Sequence, residues 1–193
     1  MSKSKTYTVL FKRKRKGKTN YKKRLQYLKS EKERIVIRPT VSNMTIQAVI
    51  FEENGDKVLI TAQAKDLRKI GWKYHLGNLP SSYLAGLYFG KLAKEKIKGG
   101  IIDLGLRKIT KGDRISAAIK GIVDSGLEIP HSEAIFPNEK RLNGSTIADY
   151  SKKLSENKEK YEKQFSKYLK EGTNPENIQK DFEEIKNSIL SKK

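Results

Sequence analysis

The chain contains no cysteine. That excludes disulfides, thiolate metal sites and cysteine nucleophiles, and it suits an intracellular protein. Histidine is nearly as scarce. His75 and His131 are the only two, they lie in different segments without H-x-x-x-H spacing, and a zinc site is improbable. No run approaches the ~18 consecutive apolar residues that a membrane span needs. The opening Met1-Ser2-Lys3-Ser4-Lys5 has no apolar stretch behind it, which argues against a secretory signal. The phosphate-cradling patterns G-x-x-x-x-G-K-[ST] and G-x-G-x-x-G are absent, and no G-x-S-x-G elbow exists, although Ser132 directly follows His131. No cofactor, metal, small-molecule substrate or membrane partner is therefore expected. Acids are missing in one further place: the first 38 residues hold 15 Lys/Arg against 2 acids, whereas the rest of the chain is nearly balanced. About two thirds of the net charge of +20 thus lies in one fifth of the chain. A basic arm on a near-neutral body points to a polyanion.

What is present begins with alternation. Ile35 to Arg38, Met44 to Glu52 and Lys57 to Gln63 read as three strands, and Glu53-Asn54-Gly55-Asp56 between the last two is a strong hairpin signal. Thr45, Gln47 and Glu52 mark a polar face, and Ile46, Ala48, Ile50 and then Phe51 an imperfect apolar one. After a connector with Trp72, Tyr74 and His75, Asn78 and Pro80 open a long helix with Leu84, Leu87, Tyr88 and Leu92 as its stripe. Gly86 and Gly90 form a G-x-x-x-G pair, read as close packing against the sheet, and Gly99-Gly100 is expected to end the helix. Ile101 to Leu104 is a short buried strand. Asp113 caps a second helix with Ile115, Ala118, Ile119 and Ile122 inward. The fold class is α/β: an antiparallel three-stranded meander plus a parallel strand, packed by helices in a ribonuclease H-like layout. The expected division is residues 1–33 as a basic arm and helix, 34–128 as the α/β body, and 129–193 as an irregular segment with C-terminal helices.

In the arm, Lys12-Arg13-Lys14-Arg15-Lys16 are five adjacent like charges that will not fold alone. A localisation tag would look the same. The next segment is more specific, because Thr19 can cap a helix with Tyr21, Leu25 and Leu28 on one face and Lys22, Lys23, Arg24 and Lys29 across the rest. Trp72 and Tyr74, beside Lys69 and Lys73, could stack on bases, or Trp72 could close the core edge. Thr146 to Leu169 and Pro175 to Leu190 read as two helices, the first with Leu154, Tyr161, Phe165 and Tyr168 on one side and Glu156/Lys160 and Glu159/Lys163 pairs on another. The second has Ile178, Phe182, Ile185 and Ile189 at helical spacing. They could fold back on the body or meet a protein partner, which leaves an interaction scaffold as the alternative reading. A two-metal nuclease is rejected, because the first strand carries no carboxylate and Asp66, Asp103 and Asp113 stand isolated.

Motifs spread along the chain carry a resemblance: Arg13 to Tyr21 with Arg24-Leu25, Arg38-Pro39-Thr40-Val41-Ser42-Asn43, Gly77-Asn78-Leu79-Pro80 with Ala85-Gly86, and Asp103-Leu104-Gly105-Leu106. Ala117 to Gly121, Ile129-Pro130-His131-Ser132 and Gly144 to Tyr150 continue it. Over roughly residues 3 to 155 the chain resembles the archaeal and eukaryotic type of the large-subunit ribosomal protein that binds 5S rRNA, family eighteen in the universal large-subunit naming. The resemblance implies a structural protein rather than an enzyme, seated on 5S rRNA in the central protuberance, with 23S rRNA and neighbouring ribosomal proteins as further partners. It implies a cytoplasmic, ribosomal location. The expected RNA contacts are Lys12, Arg13, Lys14, Arg15, Lys16 and Lys18 on crowded phosphates, with Thr19, Asn20 and Tyr21 adding hydrogen bonds or stacking. Arg24 and Arg38 are expected to clamp phosphate oxygens in pairs. Ser42 and Asn43 would approach the RNA backbone closely. His131 and Ser132 fit either RNA contact or a loop-fastening hydrogen bond. Arg141, with Asn143 and Ser145, is a weaker candidate near a helix start.

Overall fold

The computed structural model describes residues 8–191. Lys3, Lys5 and Tyr7 of the expected arm, and the last two lysines, lie outside the described residues. Four strands form one sheet in the order β3-β2-β1-β4. β1 (Arg34–Pro39) pairs antiparallel with β2 (Met44–Glu52), β2 antiparallel with β3 (Gly55–Gln63), and β4 (Ile101–Asp103) parallel with β1. The expected meander plus parallel strand is what forms. The register of β2 with β3 shifts between Ala48 and Val49, with Leu59 of β3 as the extra residue. Towards the hairpin beyond this shift, Ile50 and Phe51 are exposed.

Ile35, Ile37, Met44, Ile46, Ala48, Ile60 and Ala62 are buried on one face of the sheet. The helix that covers this face is α3 (Leu79–Ala93), whose Asn78 cap accepts a hydrogen bond from Ser81 N. Its surroundings differ from a simple stripe. Pro80 to Leu87, Phe89, Gly90 and Ala93 are all buried while Leu92 is exposed, because α3 is enclosed by the sheet, by α4 (Arg114–Asp124) and by α8 (Ile178–Ser191). The G-x-x-x-G pair faces α4 rather than the sheet: a Cβ on Gly86 would strike Ala118 O, and one on Gly90 would strike Ser125 Oγ. Gly121 of α4 meets the backbone of Tyr83 and Leu87 in the same way. Small residues on both helices thus let two backbones touch, a contact that one helix's sequence does not name. The helix also ends at Ala93 rather than at Gly99-Gly100. Lys96 N and Ile97 N both donate to Ala93 O, and this tight turn swings Ile97 into the core. In α4, Asp113 caps through Ser116 N at 2.7 Å, and Ile115, Ala118, Ile119 and Ile122 are buried.

Trp72 and Tyr74 are buried core residues, so neither presents a ring for base stacking. The expected helix from Thr146 to Leu169 is two helices, α6 (Ser145–Ser155) and α7 (Lys158–Lys170), parted by Asn157, which caps α7 through Lys160 N. Neither the Glu156/Lys160 nor the Glu159/Lys163 pair closes as an ion pair among the described residues. A short turn, α5 (Glu139–Leu142), precedes them. The apolar face of α8 is spent on the body: Ile178, Phe182, Ile185 and Ile189 are buried, Phe182 meets Tyr83 at 5.6 Å, and Tyr74 Oη donates to Asp181 Oδ2 at 2.9 Å. A scaffold reading that needs this face for a partner loses its surface.

Candidate nucleic-acid interface

The opposite face of the sheet carries the charge. Along β1, alternate residues Arg34, Val36 and Arg38 project from that face, next to Gln47 and Val49 of β2 and Asp103 of β4. Asp103 is not isolated. It is buried, with Arg34 Nη1 at 3.3 Å and Arg38 Nη2 at 3.5 Å, and its Oδ1 accepts Gly105 N at 2.7 Å. Asp56, at the start of β3, sits between Arg34 Nη2 at 2.7 Å and the fork of Arg24, which reaches its two oxygens at 3.1 and 3.0 Å. Burial alone would raise the Asp56 carboxyl. The Arg24 and Arg34 guanidiniums outweigh this and hold it below the usual carboxylate range. The result is an alternating row, Arg24–Asp56–Arg34–Asp103–Arg38, lying across the sheet.

This row fastens the arm. The run Lys12–Arg15 makes one helical turn, α1, with no buried residue. Then α2 (Tyr21–Lys29) begins at Asn20, whose side chain accepts Lys23 N. The cap is Asn20 and not Thr19, because Thr19 Oγ1 already accepts Arg13 Nε at 2.8 Å. The docked face of α2 is also rotated from expectation. Leu25 is exposed, whereas Tyr21, Arg24, Tyr27 and Leu28 are half-buried. Arg24 takes the inward position because Asp56 offers it a bidentate partner on the sheet. Burial first, then the Asp103 carboxylate, raises the Tyr27 phenol. Glu31, the one non-glycine with left-handed φ (54°) among the described residues, ends α2 and turns the chain into β1.

Between the arm and the sheet lies a cleft of about 300 Å³. Arg13, Lys18, Lys23, Arg34 and Arg38 line it, with Asp56 and Asp103 on its floor. Lys12, Arg13, Lys14, Arg15, Lys16, Lys18, Lys22 and Lys23 form no ion pair among the described residues, and all are exposed. The Tyr21 ring is partly taken by Phe11, 5.1 Å away.

The other expected contacts fall in two further places. Beyond the C-terminal end of β1, Ser42 is exposed in the turn closed by Thr40 N donating to Asn43 O. The Asn43 side chain is spent on Gln63 Oε1 and Lys65 N, so it fastens this loop. Arg114, which the sequence did not single out, donates to Thr40 O at 2.9 Å and Gly77 O at 3.1 Å and ties the loop to α4. Arg141 is exposed beside Gly112 in the loop entering α4. The start of α6 already has a partner, since Asn143 Oδ1 accepts both Ser145 N and Ser145 Oγ. His131 and Ser132 lie at the other end of the sheet, where His131 shares a cleft with Lys32, Gly99 and Gly100. His131 Nδ1 is 2.7 Å from Ile129 O, and its ring meets Phe136 in a tilted contact at 5.3 Å. The loop-fastening role is thus visible for His131, without Ser132 as its partner.

Two of the expected arginines have partners within the fold. Arg24 spends its fork on Asp56, and Arg38 Nη1 donates to Ile37 O at 3.0 Å and Asp103 O at 2.7 Å. Both help to shape the platform, and the Arg38 side chain stays 44% exposed. Arg34, Asp56 and Asp103 were not singled out for the site. The i, i+2 pair Arg34/Arg38 was a usable signal, but the carboxylates that answer it arrive through β3 and β4. Among the described residues no cluster of three His, Cys, Asp or Glu is placed to hold a metal ion, and no helix is long and apolar enough to cross a membrane.

Comparison with known proteins turns this geometry into a family. The model of the ribosomal large-subunit proteins 60S L5 and 50S L18 matches residues 5–100 and 94–132. The chain belongs to this family. It is 45% identical over 186 residues to the large ribosomal subunit protein uL18 of Methanococcus maripaludis, covering 96% of each chain. It is accordingly a structural constituent of the large ribosomal subunit and not an enzyme. The similarity reaches beyond residue 155, where the recognisable motifs stopped, and takes in most of the C-terminal helices.

Proposed function

We propose that the chain binds 5S rRNA and helps attach it to 23S rRNA in the central protuberance, beside neighbouring ribosomal proteins of the cytoplasmic ribosome. The observation that carries this reading is the unpaired cation array of Lys12 to Lys23, held at one edge by the Arg24–Asp56–Arg34 bridge. Duplex RNA presents a deep, narrow major groove, so recognition rests on phosphates, 2′-hydroxyls and shape. Unpaired lysines and arginines on a short helix suit that task, because each neutralised phosphate releases counterions. In this reading Lys12, Arg13, Lys14, Arg15, Lys16 and Lys18 take phosphates. Thr19 and Asn20 order the turn between α1 and α2, and Arg24 and Arg38 hold the platform. Ser42 and Arg141 extend the surface past the end of β1, Tyr21 and Ser132 are further RNA contacts, and Asn43 and His131 fix the local backbone.

The test is binding to 5S rRNA across a salt series, with tRNA as competitor. Tight, salt-sensitive binding that tRNA does not displace supports specific recognition. Equal displacement by tRNA means that charge alone acts, and the 5S assignment fails.

A further inference from the structure

A second cavity, of about 470 Å³, lies between Asn78 at the head of α3 and the helices α6 and α7. That size is within the ~300–1,000 Å³ of small-molecule sites. Its walls are the rings of Tyr150, Phe165 and Tyr168, and its polar groups include Asn78, Gln164 and Lys167. Three features set it apart from simple helix packing. The Asn78 side chain caps α3 through Oδ1, but its buried Nδ2 has no hydrogen-bond partner. Such an orphan donor is costly unless something else accepts from it. The wall is also held in place: Tyr168 Oη accepts His75 N at 3.2 Å, and its ring meets Tyr74 edge-on at 5.8 Å. Finally, α7 departs from helical geometry at Phe165 (φ −104°, ψ 16°), in the middle of the lining.

We propose that this cavity receives one unstacked nucleobase from a single-stranded segment of rRNA. The base stacks on the half-exposed Tyr150 ring, its edge accepts from Asn78 Nδ2 and pairs with the Gln164 amide, and its phosphate meets Lys167. Aromatic faces with a few amides are how proteins hold splayed-out bases. The charge around the cavity agrees. Lys158, Lys160, Lys163, Lys167 and Lys170 of α7 form no ion pair among the described residues. The site is separate from the arm, and it rests on the reading that the chain binds rRNA.

The test titrates isotope-labelled full-length protein with the hexanucleotides r(A)6 and r(U)6, following resonances of Ile147 and Tyr150 and, separately, arm amides. At least one oligonucleotide is expected to shift the cavity resonances. Tyr150→Ala should weaken that contact about tenfold with the arm shifts unchanged, and Tyr150→Phe should retain it. If the arm shifts and the cavity does not, rRNA binding stands and the base site is wrong. If neither moves and 5S rRNA also fails to bind, the rRNA reading falls and takes the site with it. If N-acetyltryptophanamide shifts the cavity and neither oligonucleotide does, the occupant is a protein side chain and the proposal is overturned.

Discussion

Two cationic regions of this protein are similar in composition and opposite in circumstance. In Lys12 to Lys23 every cation but one stands without a hydrogen-bonding side chain beside it. The exception is Arg13, bonded to Thr19 Oγ1. On the sheet face, Arg24, Arg34 and Arg38 are bound to Asp56 and Asp103. The comparison teaches that cation count does not locate the unpaired charge; the carboxylate partners decide. An arginine whose fork is spent within the fold positions the surface, and an unpaired one remains free for phosphate.

The contrast can be broken most severely at Arg34. Its side chain is 4% exposed, and Arg34→Ala would leave the buried Asp103 carboxylate with the longer Arg38 contact as its only cationic partner, beside the Gly105 N hydrogen bond. We expect a loss of about 3 kcal/mol or more, read as a lowered urea midpoint. A change within error would mean that water already serves Asp103. In the arm the reverse is expected. Arg13→Ala with Arg15→Ala should leave thermal unfolding unchanged, weaken 5S rRNA binding and flatten its salt slope by about one unit per lost phosphate contact. A collapse of the melting temperature would make the arm structural.

A smaller effect is expected at Asp56, where pH sharpens the comparison. Its folded pKa is depressed, so its contribution is fully present above the unfolded value of about 3.9 and is lost as pH falls through the folded value. Acid titration should therefore release α2 from the sheet below about pH 4, seen as Tyr27 exposure. Asp56→Asn should loosen α2 already at neutral pH and remove that transition. The smallest effect belongs to the exposed pair Lys57–Glu52 at the hairpin tip, 3.0 Å apart. Glu52→Gln should change stability by less than about 0.5 kcal/mol and RNA affinity not at all.

Much of this was legible beforehand. Period-two alternation in β1 to β3, the Asn54-Gly55 turn, and the Asn78 and Asp113 caps are local signals, and they led to the right elements. The errors arose where a neighbour decides. Gly86 and Gly90 face α4 because Ala118 and Ser125 come within reach, and Leu25 turns outward because Asp56 draws Arg24 in. The single helix expected from Thr146 divides at Asn157, a residue whose side chain can cap as readily as it can sit within a helix.

By itself, then, the sequence determined the sheet, the concentration of charge in its first fifth, and a family likeness carried by ordered motifs. These depend on residue type and short spacing, which the chain holds without folding. Only the tertiary structure decided which cations are free. A carboxylate from β3 or β4 reaches an arginine of β1 or α2 through strand pairing across 22 to 69 positions of chain (Arg34–Asp56, Arg34–Asp103), and electrostatic pairing depends on distance in space.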